Sequence, residues 1–106
     1  MVRSLRIGHK RYVLMEGVNT IGRDPNSTVC VNDASVSRNH ARIDIDGRRM
    51  WIEDLGSKNG TFVNGERIRE RVALNEGDQI VFGRTRAIVR MIDAASPTIT
   101  ITGSRE

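Results

Sequence analysis

Apolar residues in this chain recur at every second position, and turn-forming pairs cut each run short. A period of two belongs to a strand with one face buried, whereas a helix would repeat at about 3.6. Leu5 and Ile7 alternate with Arg6, Tyr12 and Leu14 flank Val13, and Ala41, Ile43 and Ile45 alternate with Arg42 and Asp44. Gly8-His9 reads as the hairpin turn between the first two runs. Asn64-Gly65 marks a tight turn between Phe62-Val63 and Glu66-Arg67-Ile68. Asn75-Glu76-Gly77-Asp78 separates Val72-Ala73-Leu74 from Ile80-Val81-Phe82. Gly83-Arg84 then leads into a last strand with Ala87, Val89 and Met91 on one face. No segment has the spacing of a sustained amphipathic helix, and the sequence contains no internal repeat. Many short strands with frequent turns predict an all-β fold, a twisted antiparallel β-sandwich of two sheets.

One hairpin can be read in more detail. Asp46-Gly47 has the composition of a two-residue type I′ turn. With that turn, Ile45 faces Arg48, Asp44 faces Arg49, Ile43 faces Met50, Arg42 faces Trp51 and Ala41 faces Ile52. Asp44 then meets Arg49, and Arg42 can lie on the Trp51 ring.

A chain of 106 residues fits one domain with a core of its own. The alternating pattern ends near Asp93, which predicts a domain over residues 1–93 and a flexible tail or linker over 94–106, opened by Ala94-Ala95-Ser96-Pro97. The Thr/Ile alternation from Thr98 is also compatible with one more edge strand. Cys30 is the single cysteine, so an internal disulfide is excluded. Its place in Val29-Cys30-Val31 predicts a buried, inert thiol and an intracellular setting. The first residues lack the apolar stretch of a signal peptide, and no run approaches the ~20 apolar residues of a membrane span.

The formal net charge of +4 predicts an anionic partner. Three polar segments between the apolar runs offer the means: Gly22-Arg23, Ser37-Arg38-Asn39-His40, and the stretch from Asp54 to Gly65. They carry three cations (Arg23, Arg38 and Lys58) together with hydroxyls and an amide. That inventory suits a doubly charged tetrahedral anion attached to a peptide. In a sandwich, loops gather at the two ends, so segments far apart in sequence can meet at one site.

In order and spacing, these segments resemble the signature of the forkhead-associated (FHA) domain, over roughly residues 2–92. The resemblance implies a twisted two-sheet sandwich whose loops at one end bind phosphothreonine peptides, without catalytic activity. Arg23 offers a planar fork of donors for phosphate, and Ser37 a short hydroxyl donor. By resemblance, Arg38 contacts phosphate or peptide, and Lys58 stands where the family meets phosphate with varied side chains. Asn59 is implied to bridge the peptide backbone with its two-faced amide. Gly22 would allow a close backbone approach, His40 would brace the loops, and Asn64-Gly65 would position the preceding loop. Asp54 and Thr61 are expected to satisfy loop amides. The family reads the residue three places after the phosphothreonine. Ser35 and Val36 are the candidate readers here, and as small uncharged residues they predict no strong charge preference. The resemblance also implies a small pocket for the threonine methyl, hence weaker binding of phosphoserine.

The implied partner is a protein phosphorylated by a Ser/Thr kinase, with no membrane. A phosphothreonine carries about −1.5 to −2 charge. An aspartate, with one charge and planar geometry, should mimic it poorly. Thr98 is followed three places later by Ile101, so a phosphorylated tail is a candidate for self-association.

Other chemistries find little support. Ser37, His40 and Asp54 could be named a triad, but no G-x-S-x-G elbow accompanies them, and no G-x-x-x-x-G-K-[ST] loop is present. Two histidines and one cysteine, widely spaced, make no zinc site, and no cofactor is implied. Nucleic acid is the alternative for a basic domain, yet the aromatics are only Tyr12, Trp51, Phe62 and Phe82, without a stacking motif.

Overall fold

The computed structural model describes residues 1–92. The expectations for the tail, including a phosphorylated Thr98 and an extra edge strand, lie outside the described residues. Eleven strands follow one another: β1 (Val2–Ile7), β2 (Lys10–Leu14), β3 (Gly17–Gly22), β4 (Val29–Cys30), β5 (Ala41–Asp46), β6 (Arg49–Asp54), β7 (Thr61–Val63), β8 (Glu66–Arg67), β9 (Val72–Ala73), β10 (Gln79–Phe82) and β11 (Thr85–Ile92). They form a six-stranded sheet, β2-β1-β11-β10-β7-β8, and a five-stranded sheet, β4-β3-β5-β6-β9. Pairing is antiparallel except between β3 and β4, which run parallel through Ile21 and Val29.

The two sheets bury one face each against a shared core. Leu5, Ile21, Ile43, Ile52, Ile80, Phe82 and Val89 are fully buried in it. Each such side chain contributes roughly 1.5–3 kcal/mol by leaving water. Every one comes from the alternating positions of its strand, so the two-residue period decides which face is inside. Asn19 is the polar exception. It is fully buried, but its amide donates to the Met15 and Ile43 carbonyls and its oxygen accepts the Met15 N–H, so no polar atom of its amide is stranded.

Turn chemistry explains both a success and a correction. Asn64 and Gly65 have positive φ, 51° and 87°, as a type I′ turn demands, and Val63 pairs with Glu66 across them. The β5–β6 hairpin instead turns at Gly47-Arg48, one residue later than Asp46-Gly47. Asp46 pairs with Arg49, Ile45 with Met50, Ile43 with Ile52 and Asp44 with Trp51. Gly47 takes φ 62° at the first loop position, where a type II′ turn needs glycine. Gly8 and Gly83 stand at the same place in their hairpins. The register therefore slips by two residues, which leaves every side chain on its expected face but changes its partner. Arg42 pairs with Glu53 at 3.2 Å, and it is Arg71 that lies 4.6 Å over the Trp51 ring. Cys30 is a second correction. Val29 and Val31 point into the core, so alternation turns Cys30 outward, where it is half-exposed.

Strand pairing gathers the loops. Ile21 pairs with Ala41, Ala41 with Asp54, and Phe82 with both Thr61 and Thr85. The β3–β4, β4–β5, β6–β7 and β10–β11 connections thus leave the sandwich at one end.

Candidate functional site

At that end the first two loops are bound backbone to backbone. Arg23 N–H donates to Ser37 O at 3.1 Å, and Asp24 N–H to Arg38 O at 3.3 Å. Such closeness requires glycine at position 22. A Cβ there would stand 1.8 Å from the Arg38 carbonyl oxygen. The Arg23 side chain is fixed as well, because its Nε donates to Val36 O at 2.5 Å. Among the described residues its two terminal nitrogens have no hydrogen-bond partner in the protein. Among the described residues, no carboxylate forms an ion pair with Arg23, Arg38 or Lys58. All three are exposed.

The second and third loops are joined through Ser37, His40 and Asn59. Ser37 Oγ accepts the Lys58 N–H at 3.0 Å, so its own hydroxyl proton is free to point at a ligand. His40 is fully buried and edge-on to Phe82, with ring centroids 5.7 Å apart. Its Nδ1 accepts the Ser37 N–H at 3.0 Å, and the proton must then sit on Nε2, which donates to Gly60 O at 2.8 Å. Both ring nitrogens are engaged with backbone, and Asp54 bonds to other groups. The three residues do not form a relay. Asn59 donates to Ser35 O at 2.8 Å while its side chain stays exposed, and Gly60, not Asn59, takes the positive φ of the turn.

The third loop is closed by one carboxylate. Asp54 accepts from Ser57 Oγ at 2.6 Å, Thr61 Oγ1 at 2.7 Å, and the amides of Gly56 and Ser57 at 2.9 and 3.0 Å. Partial burial pushes its pKa up, but the hydrogen bonds from Ser57, Thr61 and Gly56 outweigh that and hold it below the ordinary carboxylate value. A carboxyl whose folded-state pKa is depressed adds stability above its unfolded value, and that contribution is lost as pH falls through the folded value. The thermal stability of the wild type should therefore fall below about pH 4. Asp54→Asn should be less stable at pH 7 by about 1–3 kcal/mol and should show a shallower acid slope. Parallel slopes in melting curves across pH 2–7 would remove Asp54 from this role.

Of the other expected site residues, Asn64 and Gly65 lie outside this cluster. Asn64 is hydrogen-bonded to Asp78 and to the Gln79 amide, so it secures the far side of β7. Val36 is packed in the core, 1% exposed, and its side chain is not available as a reader. Ser35 is buried and its hydroxyl is occupied: it donates to Asp33 at 2.6 Å and accepts the Arg84 N–H at 2.9 Å. The Ser35 hydroxyl and the Ser35 N–H both donate to Asp33 and, with the Arg84 charge, hold its carboxyl below its ordinary pKa. What Ser35 does form is the floor of an open pocket of about 430 Å³, with Ala34, Asn59, Gly83 and Arg84 around it. Arg84 was not anticipated there, since it lies 49 residues from Ser35. Gly83 admits the approach, because a Cβ on it would meet Ser35 O at 2.2 Å. A larger hollow of about 630 Å³ lies elsewhere. Its rim mixes Glu66, Glu70 and Asp78 with Arg67 and Arg69, so it presents no single charge to an anion. No cluster of three or more metal-ligating side chains occurs among the described residues. No helix there is long and apolar enough to cross a membrane.

The chain is 36% identical over 78 residues to the glycogen accumulation regulator GarA of Mycolicibacterium smegmatis, a match covering 74% of this chain and 49% of that protein. It is 38% identical over 78 residues to the oxoglutarate dehydrogenase inhibitor of Corynebacterium efficiens, covering 74% of this chain and 54% of the relative. The chain thus spans about half the length of these curated relatives. A solved structure from a study of phosphothreonine-dependent FHA domain interactions superposes with a TM-score of 0.83 at 35% identity, over 88% of this chain and 99% of that one. The FHA domain of FhaA, solved in complex with the intracellular domain of Rv3910, gives a TM-score of 0.79 at 36% identity, over 83% and 99% of the two chains. The family model of the FHA domain matches residues 19–83, from the buried Asn19 to the Gly83 turn, and the chain belongs to the FHA domain family.

Proposed function

We propose that this domain is a non-catalytic module that binds phosphothreonine-containing segments of kinase substrates, and so recruits a phosphorylated partner or regulates an effector domain. The observation that carries the reading is the hydrogen-bonded junction of Arg23, Ser37 and the Lys58 amide. Three segments of chain there offer a fork of donors, a hydroxyl proton and the lysine whose amide holds that hydroxyl, and among the described residues no carboxylate forms an ion pair with them. Hydrogen bonds to a charged group contribute roughly 1.5–3 kcal/mol each, so two or three account for most of a micromolar affinity. Asn59, anchored to Ser35 O through its Nδ2, keeps its carbonyl oxygen for a peptide N–H. A phosphorylated site in the tail is a second candidate ligand in the same reading.

The pocket floored by Ser35 is assigned to a residue flanking the phosphothreonine. Arg84 gives it a cation, but Asp33 shares that field, so selection by charge should be modest. An aspartate placed over the pocket should bind about three-fold better than a lysine, a difference of the size exposed ion pairs supply. Arg84→Ala should level the two in competition binding. The test of the whole reading is an oriented phosphothreonine-peptide library. Equal retention of phosphorylated and unphosphorylated peptides would refute it.

A further inference from the structure

The charge of this domain is divided between its two sheets. The strands of the six-stranded sheet hold seven cations and one acid, Glu66. Those of the five-stranded sheet hold two cations and four acids. Ion pairs knit the latter surface together, through Asp44, Glu53, Arg42 and Arg71. On the six-stranded sheet Arg90 pairs with Glu76 at 3.1 Å, but among the described residues Arg6, Arg11 and Arg86 have no such compensation. Leu5, Ala87 and Val89 point inward, and alternation sends Arg6, Arg11, Arg86 and Ile88 to the outer face, all exposed.

Arg6 and Arg11 are paired directly across β1 and β2. Like charges so placed oppose folding. Arg6 also pairs with Ile88, and Arg86 lies two residues along β11 toward the Gly83-Arg84 turn. Among the described residues, none of Arg6, Arg11 and Arg86 has an ion-pair partner. The cations therefore run in one track from Arg84 in the site pocket, past Arg86 and Ile88, to Arg6 and Arg11. Strand rise and spacing make it about 20 Å long. About six extended residues would cover it.

We propose that this track binds an acidic segment of the same phosphorylated partner, contiguous with its phosphothreonine and carrying an apolar residue for Ile88. The proposal rests on the phosphothreonine reading of the loops and extends it. Charge complementarity selects the occupant. A second copy of this face would set arginine against arginine. Nucleic acid would need stacking surfaces, and the track itself carries no aromatic side chain.

The experiment is calorimetric titration of the 106-residue chain with phosphothreonine peptides. One is short. The others extend it by six residues, acidic with one leucine or neutral, on either side of the phosphothreonine. An acidic extension on one side should tighten binding about ten-fold at low salt, as several exposed ion pairs together would. The triple variant Arg6→Gln, Arg11→Gln, Arg86→Gln should lose that gain and bind the short peptide within two-fold of wild type. Its melting temperature should not fall, because a repulsive pair is removed. A short peptide that binds while neither acidic extension helps, or a gain that survives in the triple variant, overturns the track and leaves the loop site standing. Failure of every phosphopeptide overturns the loop reading itself. Single-stranded RNA or phosphatidylserine vesicles that bind more tightly than the acidic peptide, and are released by the triple variant, overturn the choice of a protein segment.

Discussion

Arg23→Ala should weaken binding of a phosphothreonine peptide by at least about 100-fold while leaving the fold intact. The size follows from the removal of two charge-assisted donors, at roughly 1.5–3 kcal/mol each. The fold should survive because Arg23 is exposed and its backbone N–H, which holds Ser37 O, is retained. Its Nε bond to Val36 O is lost, at a cost of about 1 kcal/mol. Arg23→Lys should recover only part of the affinity, since an ammonium on a flexible stem cannot reproduce a fork already oriented by Val36. Titration calorimetry with phosphorylated and unphosphorylated peptide, beside a melting curve, separates binding from stability. A variant that melts like wild type and still prefers the phosphopeptide by the same factor would remove Arg23 from the site.

The second large effect concerns the frame. Gly22→Ala should destabilise the domain by about 3 kcal/mol or more, because the new methyl meets the Arg38 carbonyl and neither β3 nor the Arg38 loop can retreat without breaking the backbone pairing between them. The melting temperature should fall by more than about 10 °C. Gly65→Ala makes the informative contrast. Position 65 has φ 87° but open space around it, so alanine should cost only about 1 kcal/mol of backbone strain. If the two variants melt alike, the close approach at Gly22 is not what holds the first loops together. If Gly22→Ala is as stable as wild type, the junction is looser than its hydrogen bonds imply.

Local pattern carried most of the architecture into view. Strand faces follow from the two-residue period, and that period is robust to a register error of two, which is why the β5–β6 hairpin kept its faces while losing its partners. The error itself arose because Asp-Gly suits a type I′ turn, while the chain uses Gly47 alone as the left-handed residue, as it does Gly8 and Gly83. Asn64-Gly65 left no such choice, since both positions take positive φ. Relations across the fold were the hidden part. Arg71 reaches Trp51 from beyond a strand of two residues, and β3 and β4 pair in parallel over only two positions. Within the site, the polar composition of three segments was legible, as was the need for glycine at position 22. The meeting of Ser35 with the Gly83-Arg84 turn was not, because no local signal links residues so far apart. Val36 shows the limit from the other side: a residue beside a binding loop can still belong to the core.

The most direct test is a titration of isotopically labelled protein with a phosphothreonine peptide, followed by the amide signals of Lys58, Ser37 and Asn59 and the side-chain signal of Arg23. These signals should shift together with one dissociation constant, phosphoserine should produce the same pattern more weakly, and the unphosphorylated peptide should produce none. Signals that move independently, or a response confined to surfaces remote from these loops, would contradict the claim that separate turns of the chain compose one phosphate-binding site.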